Sequence, residues 1–184
     1  TDFTPTILTR IEQPLHPGAS HEDELEQALQ VICAAYEEAG RFGRPIMGLG
    51  LGVPGLVDSA TGTLLFAPNL GWTDVPLKKI LEDRLNIPVL VDNVASVSAL
   101  GESTFGAAQN RNVVLYLSTQ GGLGGRIVTH GQILRGASGF AGEVGHMTVA
   151  DGGRRCNCGR VGCWETFASQ MALLRDVSER LEAG

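Results

Sequence analysis

Several things are scarce or missing in this 184-residue chain, and each absence removes a class of protein. Basic charge is short: 14 Lys and Arg stand against 20 Asp and Glu, a net charge of −6. Nothing here holds a nucleic acid through its phosphates, so any DNA binding by the parent protein must fall to another segment. Long apolar runs are missing. Stretches such as Ile46 to Val53 are far short of a membrane span, and no membrane partner is expected. No signal peptide is visible, which fits a cytoplasmic protein. The chain starts at Thr1 rather than Met, so the true N-terminus is expected further upstream. No repeat period and no low-complexity tract appears. Cysteine is rare outside one place: of four, three lie between Cys156 and Cys163, and Cys33 stands alone. Three is an odd number for a local disulfide framework, and metal binding explains the cluster better.

What is present reads as a soluble globular protein, with 43% hydrophobic and 18% charged residues. The length suffices for one domain with a real core or for two small lobes. The 25 glycines gather at 48–55, 121–125 and 136–145, where they punctuate buried strands. Ser20 and Asp23 resemble a helix cap. Leu25, Leu29, Ile32, Cys33 and Tyr36 then share one helical face, and Gly40 closes the segment. Cys33 on that face reads as a small core residue.

Strands are expected over Pro45–Val53, Gly62–Ala67 and Pro88–Val91, and helices over Leu77–Leu85 and Val94–Phe105. This alternation argues for an α/β sheet with parallel pairs. Val113–Ser118 is a strand and Gln120–Gly125 a glycine-rich turn. Ile127–Thr129 and Gln132–Leu134 flank a tight His130-Gly131 hairpin. Gly136–Cys163 has little periodicity and is long for a structureless loop, so it needs a local reason to hold together. Trp164–Leu181 reads as a final amphipathic helix. A boundary near Gln109-Asn110 divides residues 1–110, a first lobe, from 111–184, the start of a second lobe with the metal-binding loop.

That local reason is a metal. His146 precedes Cys156 by ten residues, and Cys156-x-Cys158 is followed by Cys163. One imidazole and three thiolates form the donor set of closed, tetrahedral, structural zinc. The one-residue gap between Cys156 and Cys158 is shorter than common finger spacings. Gly152, Gly153, Gly159 and Gly162 let the backbone wrap tightly. The alternative is a set of reduced, unliganded thiols beside a core histidine. Catalytic zinc is disfavoured, because four protein ligands leave no position for water.

The runs Gly142-Glu143-Val144-Gly145-His146 and Cys156-Asn157-Cys158-Gly159-Arg160-Val161-Gly162-Cys163-Trp164-Glu165 closely resemble the ROK family of sugar-responsive repressors, sugar kinases and uncharacterised relatives. Further matches are Pro54-Gly55-Leu56-Val57-Asp58, Pro68-Asn69-Leu70-Gly71-Trp72 and Arg135-Gly136-Ala137-Ser138-Gly139-Phe140, so the resemblance spans almost the whole chain. It implies an actin-like, ribonuclease-H-like α/β fold of two lobes with a sugar in the cleft, only partly present here. The first hairpin with its Asp-x-Gly phosphate motif is expected before Thr1, and the rest of the second lobe after Gly184. In a repressor, a winged helix-turn-helix is expected further upstream.

The resemblance also implies a sugar site. Glu143 and Glu165 match sugar-contacting positions, and a carboxylate can accept two hydroxyl protons at once. Both sit beside metal ligands, so the ion would lock their geometry. His146 is expected to bind zinc through one ring nitrogen and to donate toward the sugar with the other. Asn93 matches a further sugar contact and could also cap the helix after it. Asn69 and the backbone around Gly55 are weaker candidates.

A kinase of this family needs an Asp as general base. Its pattern is Asn-Asp at the strand end, but here the pair is Asn93-Val94. Valine accepts no proton, and strand alternation is not expected to bring Asp92 to the same spot. The family's Gly-Thr-Gly-x-Gly phosphate turn also departs. It reads Gln120-Gly121-Gly122-Leu123-Gly124-Gly125-Arg126, with Gln120 and Arg126 expected to carry bulk to places where backbone must approach phosphate. Losing general-base help alone costs roughly 10²–10⁴-fold in rate. The expectation is therefore no catalytic residue, no ATP and no enzyme activity. The chain reads as the effector domain of a repressor that binds a hexose-type sugar, carries structural zinc, reaches DNA through a domain outside the chain and forms a homo-oligomer. Closure of the two lobes is the expected two-state element. The alternatives are a sugar kinase with a displaced base and a non-catalytic sugar-binding module.

Overall fold

The computed structural model describes residues 1, 6–14, 20–68, 70–137, 139 and 141–184, with the backbone but not the side chain of His21. The chain divides into two compact units, residues 1–92 and 93–184.

In the first unit, helix α1 (His21–Gly40) starts as its sequence dictates. The Ser20 hydroxyl accepts from the Asp23 amide at 3.1 Å and donates to the Asp23 carboxylate at 2.8 Å. Glu22, Asp23 and Glu24 in the first turn complement the positive end of the helix dipole. The apolar face with Leu25, Leu29, Ile32, Cys33 and Tyr36 packs on the unit's core. Strand β1 (Leu49–Val53) pairs with β5 (Val89–Asn93). Between them in sequence, β2 (Leu56–Asp58), β3 (Thr63–Ala67) and β4 (Trp72–Val75) form an antiparallel meander. Helix α2 (Leu77–Leu85) buries Leu77, Leu81 and Leu85 and ends on Asn86 in the left-handed conformation, with φ 52°. Gly55 turns the chain from β1 into β2 with φ 116°. A Cβ there would lie 2.5 Å from the Phe66 carbonyl oxygen, so only glycine fits.

The second unit opens with α3 (Val94–Thr104), which packs on β6 (Val113–Ser118) and β7 (Gly124–Thr129). These join β8 (Gln132–Ile133) in an antiparallel order β6-β7-β8. The β7–β8 turn puts His130 at φ 50° and Gly131 at φ 76°, the paired positive angles of a type I′ hairpin. One turn of 3-10 helix (Val144–His146), α4 (Glu165–Ala168) and α5 (Gln170–Glu182) complete it.

Several expectations change. The strand at 63–67 lies in an antiparallel meander rather than in a parallel pair, while the hairpin expected at His130-Gly131 is the antiparallel β7–β8. The first strand shortens from Pro45–Val53 to Leu49–Val53. β2 and β4 were not legible: β2 follows a Pro-Gly turn directly, and β4 contains Asp74 at φ 51°. The units divide at Asp92/Asn93 rather than near 110, because α3 packs on β6 and β7. The expected last helix is two helices. Ser169 is extended between them, and its hydroxyl accepts from the Ala172 amide at 3.1 Å to cap α5. Among the described residues, no helix is long and apolar enough to cross a membrane.

Leu81 is fully buried in the core of the first unit, on the helix that packs against α1 and β3. Leu81→Ala is expected to cost about 2–5 kcal/mol of stability, read as a lower midpoint in chemical denaturation.

Candidate metal centre and its carboxylates

The aperiodic segment after β8 is held by short-range pairing and by its donors. Isolated bridges join Thr148 to Cys163 and Arg155 to Val161. The Cys156 amide donates to the Arg160 carbonyl at 2.7 Å, and the Gly159 amide to the Cys156 carbonyl at 2.8 Å, closing a small knuckle. Gly162 has φ 79°, and a Cβ on it would stand 2.0 Å from the Ala150 carbonyl oxygen.

This backbone gathers one ligand atom from each of His146, Cys156, Cys158 and Cys163 within 4.8 Å of one another. His146 Nδ1 lies 3.5 Å from Cys156 Sγ, and Cys158 Sγ 3.6 Å from Cys163 Sγ. A tetrahedral zinc site with sulfur near 2.3 Å and nitrogen near 2.0 Å has edges of about 3.5–3.8 Å. Both short pairs fall in that range, while the whole set, within 4.8 Å, is about 1 Å wider. The expected ligands are thus brought together, and they could hold a metal. Their acidities differ. Burial pushes the Cys156 thiol up, reinforced by the hydrogen bond it donates to Glu165. Burial also raises Cys163, and the neighbouring Cys158 adds to that. For Cys158 burial is outweighed by hydrogen bonds from the Arg160 backbone and side chain and from Cys156 and Cys163, which bring it down to about 6.

Glu165, at the start of α4, stands against this cluster. Its Oε1 accepts from Cys156 Sγ at 2.9 Å and lies 3.6 Å from His146 Nδ1. Its Oε2 accepts from the Leu123 amide at 3.3 Å, and a Cβ on Gly122 would come within 2.7 Å of it. The glycine turn therefore seats a carboxylate from its own unit. That turn is also shorter than expected, since β7 already begins at Gly124.

Glu143, just before the 3-10 turn, pairs with Arg126. The guanidinium donates from Nη2 to Glu143 Oε1 at 2.6 Å, from Nε to the Ser96 hydroxyl at 2.8 Å and from Nη1 to the Gly125 carbonyl at 2.7 Å. Arg126 is 5% exposed and Ser96 3%. The expectation that Arg126 carries bulk into a phosphate-facing position is thus corrected: its side chain is buried toward α3 and Glu143. Sequence reasoning did not connect Arg126 with Ser96 and Glu143. The available signal was an arginine beside Ile127 and Val128 in an apolar strand, which demands a buried acid.

Asn93 caps α3, its Oδ1 accepting from the Ala95 amide at 2.8 Å. Val94 occupies the first helical position and is 46% exposed. Gly55 belongs to the first unit, and Asn69 lies outside the described residues. An open cavity of about 670 Å³ lies beside Thr119, Gln120 and Ser169, and none of its lining residues is among the expected sugar contacts.

Fold and motifs together define an α/β protein of the actin-like class, of which this chain carries part. Residues 6–183 match the model of the ROK family, and the chain belongs to that family. It is 41% identical over 167 residues to the xylose repressor of Caldicellulosiruptor bescii, covering 91% of this chain and 42% of that protein. It is 46% identical over 135 residues to the glucokinase of Halalkalibacterium halodurans, covering 73% of this chain and 41% of that protein. Among solved structures, a ROK family glucokinase from Streptomyces griseus in complex with glucose and AMPPNP is similar with a TM-score of 0.84 and 38% identity, over 99% of this chain and 56% of that one. A ROK family transcriptional regulator, a homolog of the E. coli MLC protein, is similar with a TM-score of 0.76 and 32% identity, over 89% and 41%. The chain thus spans about half the length of these relatives.

Cys163→Ser is expected to lower the metal retained per chain, measured by plasma mass spectrometry. Gly162→Ala should do the same without removing a ligand, because its Cβ cannot fit beside Ala150.

Proposed function

We propose that this chain is the sugar-binding effector part of a ROK-family transcriptional regulator, braced by structural zinc and without kinase activity. The observation that carries the reading is Val94. It stands directly after the helix-capping Asn93, where the family's kinase pattern has its aspartate, and it offers no proton acceptor. Relatives named xylose repressors, one of them matching 91% of the chain, support the same reading. The kinase alternative keeps one specific observation in its favour, the similarity to named glucokinases.

Zinc would be held by His146, Cys156, Cys158 and Cys163. The three soft sulfurs, the imidazole and their near-tetrahedral spacing support it over a hard cation. A closed four-ligand site supplies rigidity rather than an activated water. His146 Nδ1 faces the cluster, which leaves Nε2 as the nitrogen to donate toward a sugar. Glu143, Glu165 and Asn93 would accept hydroxyl protons, with Asn69 and Gly55 as weaker contacts. Three of these contacts, Glu143, His146 and Glu165, lie in or beside the metal loop, so its order would set their aim.

A regulator needs its effector to bind one conformational state better than another, so that DNA affinity changes by the same coupling. DNA contact through a domain outside these residues, a homo-oligomeric assembly and a cytoplasmic location complete the proposal.

The full chain should show a raised thermal midpoint with a hexose such as D-glucose, or with D-xylose, since a ligand bound only to the native state stabilises by about 2.7 kcal/mol at a hundredfold excess over Kd. Stripping the metal should abolish that shift. Sustained ATP-dependent phosphorylation of a hexose would establish the kinase reading instead.

A further inference from the structure

Among the described residues, Arg126 makes no hydrogen bond or ion pair to the metal cluster, and nothing in the proposed sugar site calls for a cation. Yet it is among the most deeply buried charged side chains of the second unit. A guanidinium this far from water is retained only where acceptors meet its donors. Here the acceptors come from three separate places. Ser96 lies in the first turn of α3, three residues after the cap Asn93. The Gly125 carbonyl belongs to β7 itself. Glu143 belongs to the loop that leads into the metal ligands.

We infer that Arg126 is a positioning residue for the effector: it fixes the Glu143 carboxylate relative to the Asn93 end of α3. The inference rests on the sugar-site reading above and deepens it. Arg126 occupies Glu143 Oε1, and Oε2 has no protein donor among the described residues. Glu143 keeps one oxygen for a ligand hydroxyl, and its charge is balanced by a partner 2.6 Å away. Its side chain remains about one-third exposed, enough for a ligand to reach that oxygen. A neutralised carboxylate with one open oxygen suits an uncharged polyol better than a cationic amino sugar. The planar fork is essential, because a lysine ammonium cannot reach Ser96, Gly125 and Glu143 at once in fixed geometry.

The test is a double-mutant cycle on the zinc-loaded full chain, reading the Kd of D-glucose and D-xylose by calorimetry and the bound metal in parallel. Glu143→Gln and Arg126→Met are each expected to weaken the tighter of the two sugars about tenfold or more, with metal content unchanged. The double variant should be no weaker than the worse single variant, because Arg126 acts through Glu143. Arg126→Lys should fall between the unaltered protein and Arg126→Met. Fully additive losses, an unchanged Kd in Arg126→Met, or loss of metal in that variant would each overturn the inference. If Arg126→Met does not fold, Arg126→Lys decides: unchanged affinity in the folded lysine variant overturns it, and a several-fold loss supports it. If neither sugar binds the unaltered protein, or Glu143→Gln binds normally, the sugar-site reading itself fails and the inference falls with it.

Discussion

Three sulfur atoms and an imidazole nitrogen drawn within 4.8 Å of one another are the constraint on which the second unit depends. Such a gathering has a cost. Among the described residues, the chain between Gly136 and Trp164 has one 3-10 turn, two isolated bridges and a few backbone hydrogen bonds, and every residue fixed there gives up conformational entropy. Thiols offer little in return, since they are weak hydrogen-bond partners. A cation shared by all four donors would return far more, because metal binding free energy becomes folding free energy when no site preexists in the unfolded chain. A metal held there would thus add to the short-range pairing that already closes the knuckle.

The carboxylates inherit their places from that constraint. Glu165 is two residues beyond Cys163, and Glu143 three before His146, so neither can move without the loop that carries the ligands. Each is then pinned a second time on the sheet side. Glu165 reaches the Leu123 amide in the glycine turn, and Glu143 reaches Arg126 on β7. Two attachments for each carboxylate, one through the loop and one through the sheet, would give the preorganisation that the proposed site for hydroxyl groups needs.

How much of this could be read from the chain follows from the range of each interaction. Helix α2 was legible to the residue and α1 nearly so, because caps and apolar faces are local patterns. That His146, Cys156, Cys158 and Cys163 come together was legible because their residue types and spacing are chemically specific. β2 and β4 were not, since three- and four-residue strands in a meander take their state from partners rather than from their own pattern. The break at Ser169 was hidden because the apolar periodicity continues across it, while the cap and the Gln170 amide bond to the Thr119 carbonyl are set by tertiary packing. Arg126 was misjudged for a related reason. Its backbone position was readable, but the direction of its side chain depends on Ser96 and Glu143, at sequence distances of 30 and 17.

That misjudgement alters the meaning of the departures from the kinase pattern. Taken along the sequence, valine for aspartate and arginine for glycine look like independent losses in two phosphate-handling elements. In the folded second unit they belong to one neighbourhood. Val94 opens the helix whose Ser96 receives Arg126, and Arg126 in turn neutralises Glu143. One change removes a negative charge beside the end of α3, and the other adds a positive one behind Glu143. Both move the local balance in the same direction. A transferase needs a group that can take a proton, whereas a sensor needs acceptors held in fixed places while a neutral ligand comes and goes. On the regulator reading proposed above, the two replacements act as one electrostatic adjustment around Glu143 rather than as two separate losses.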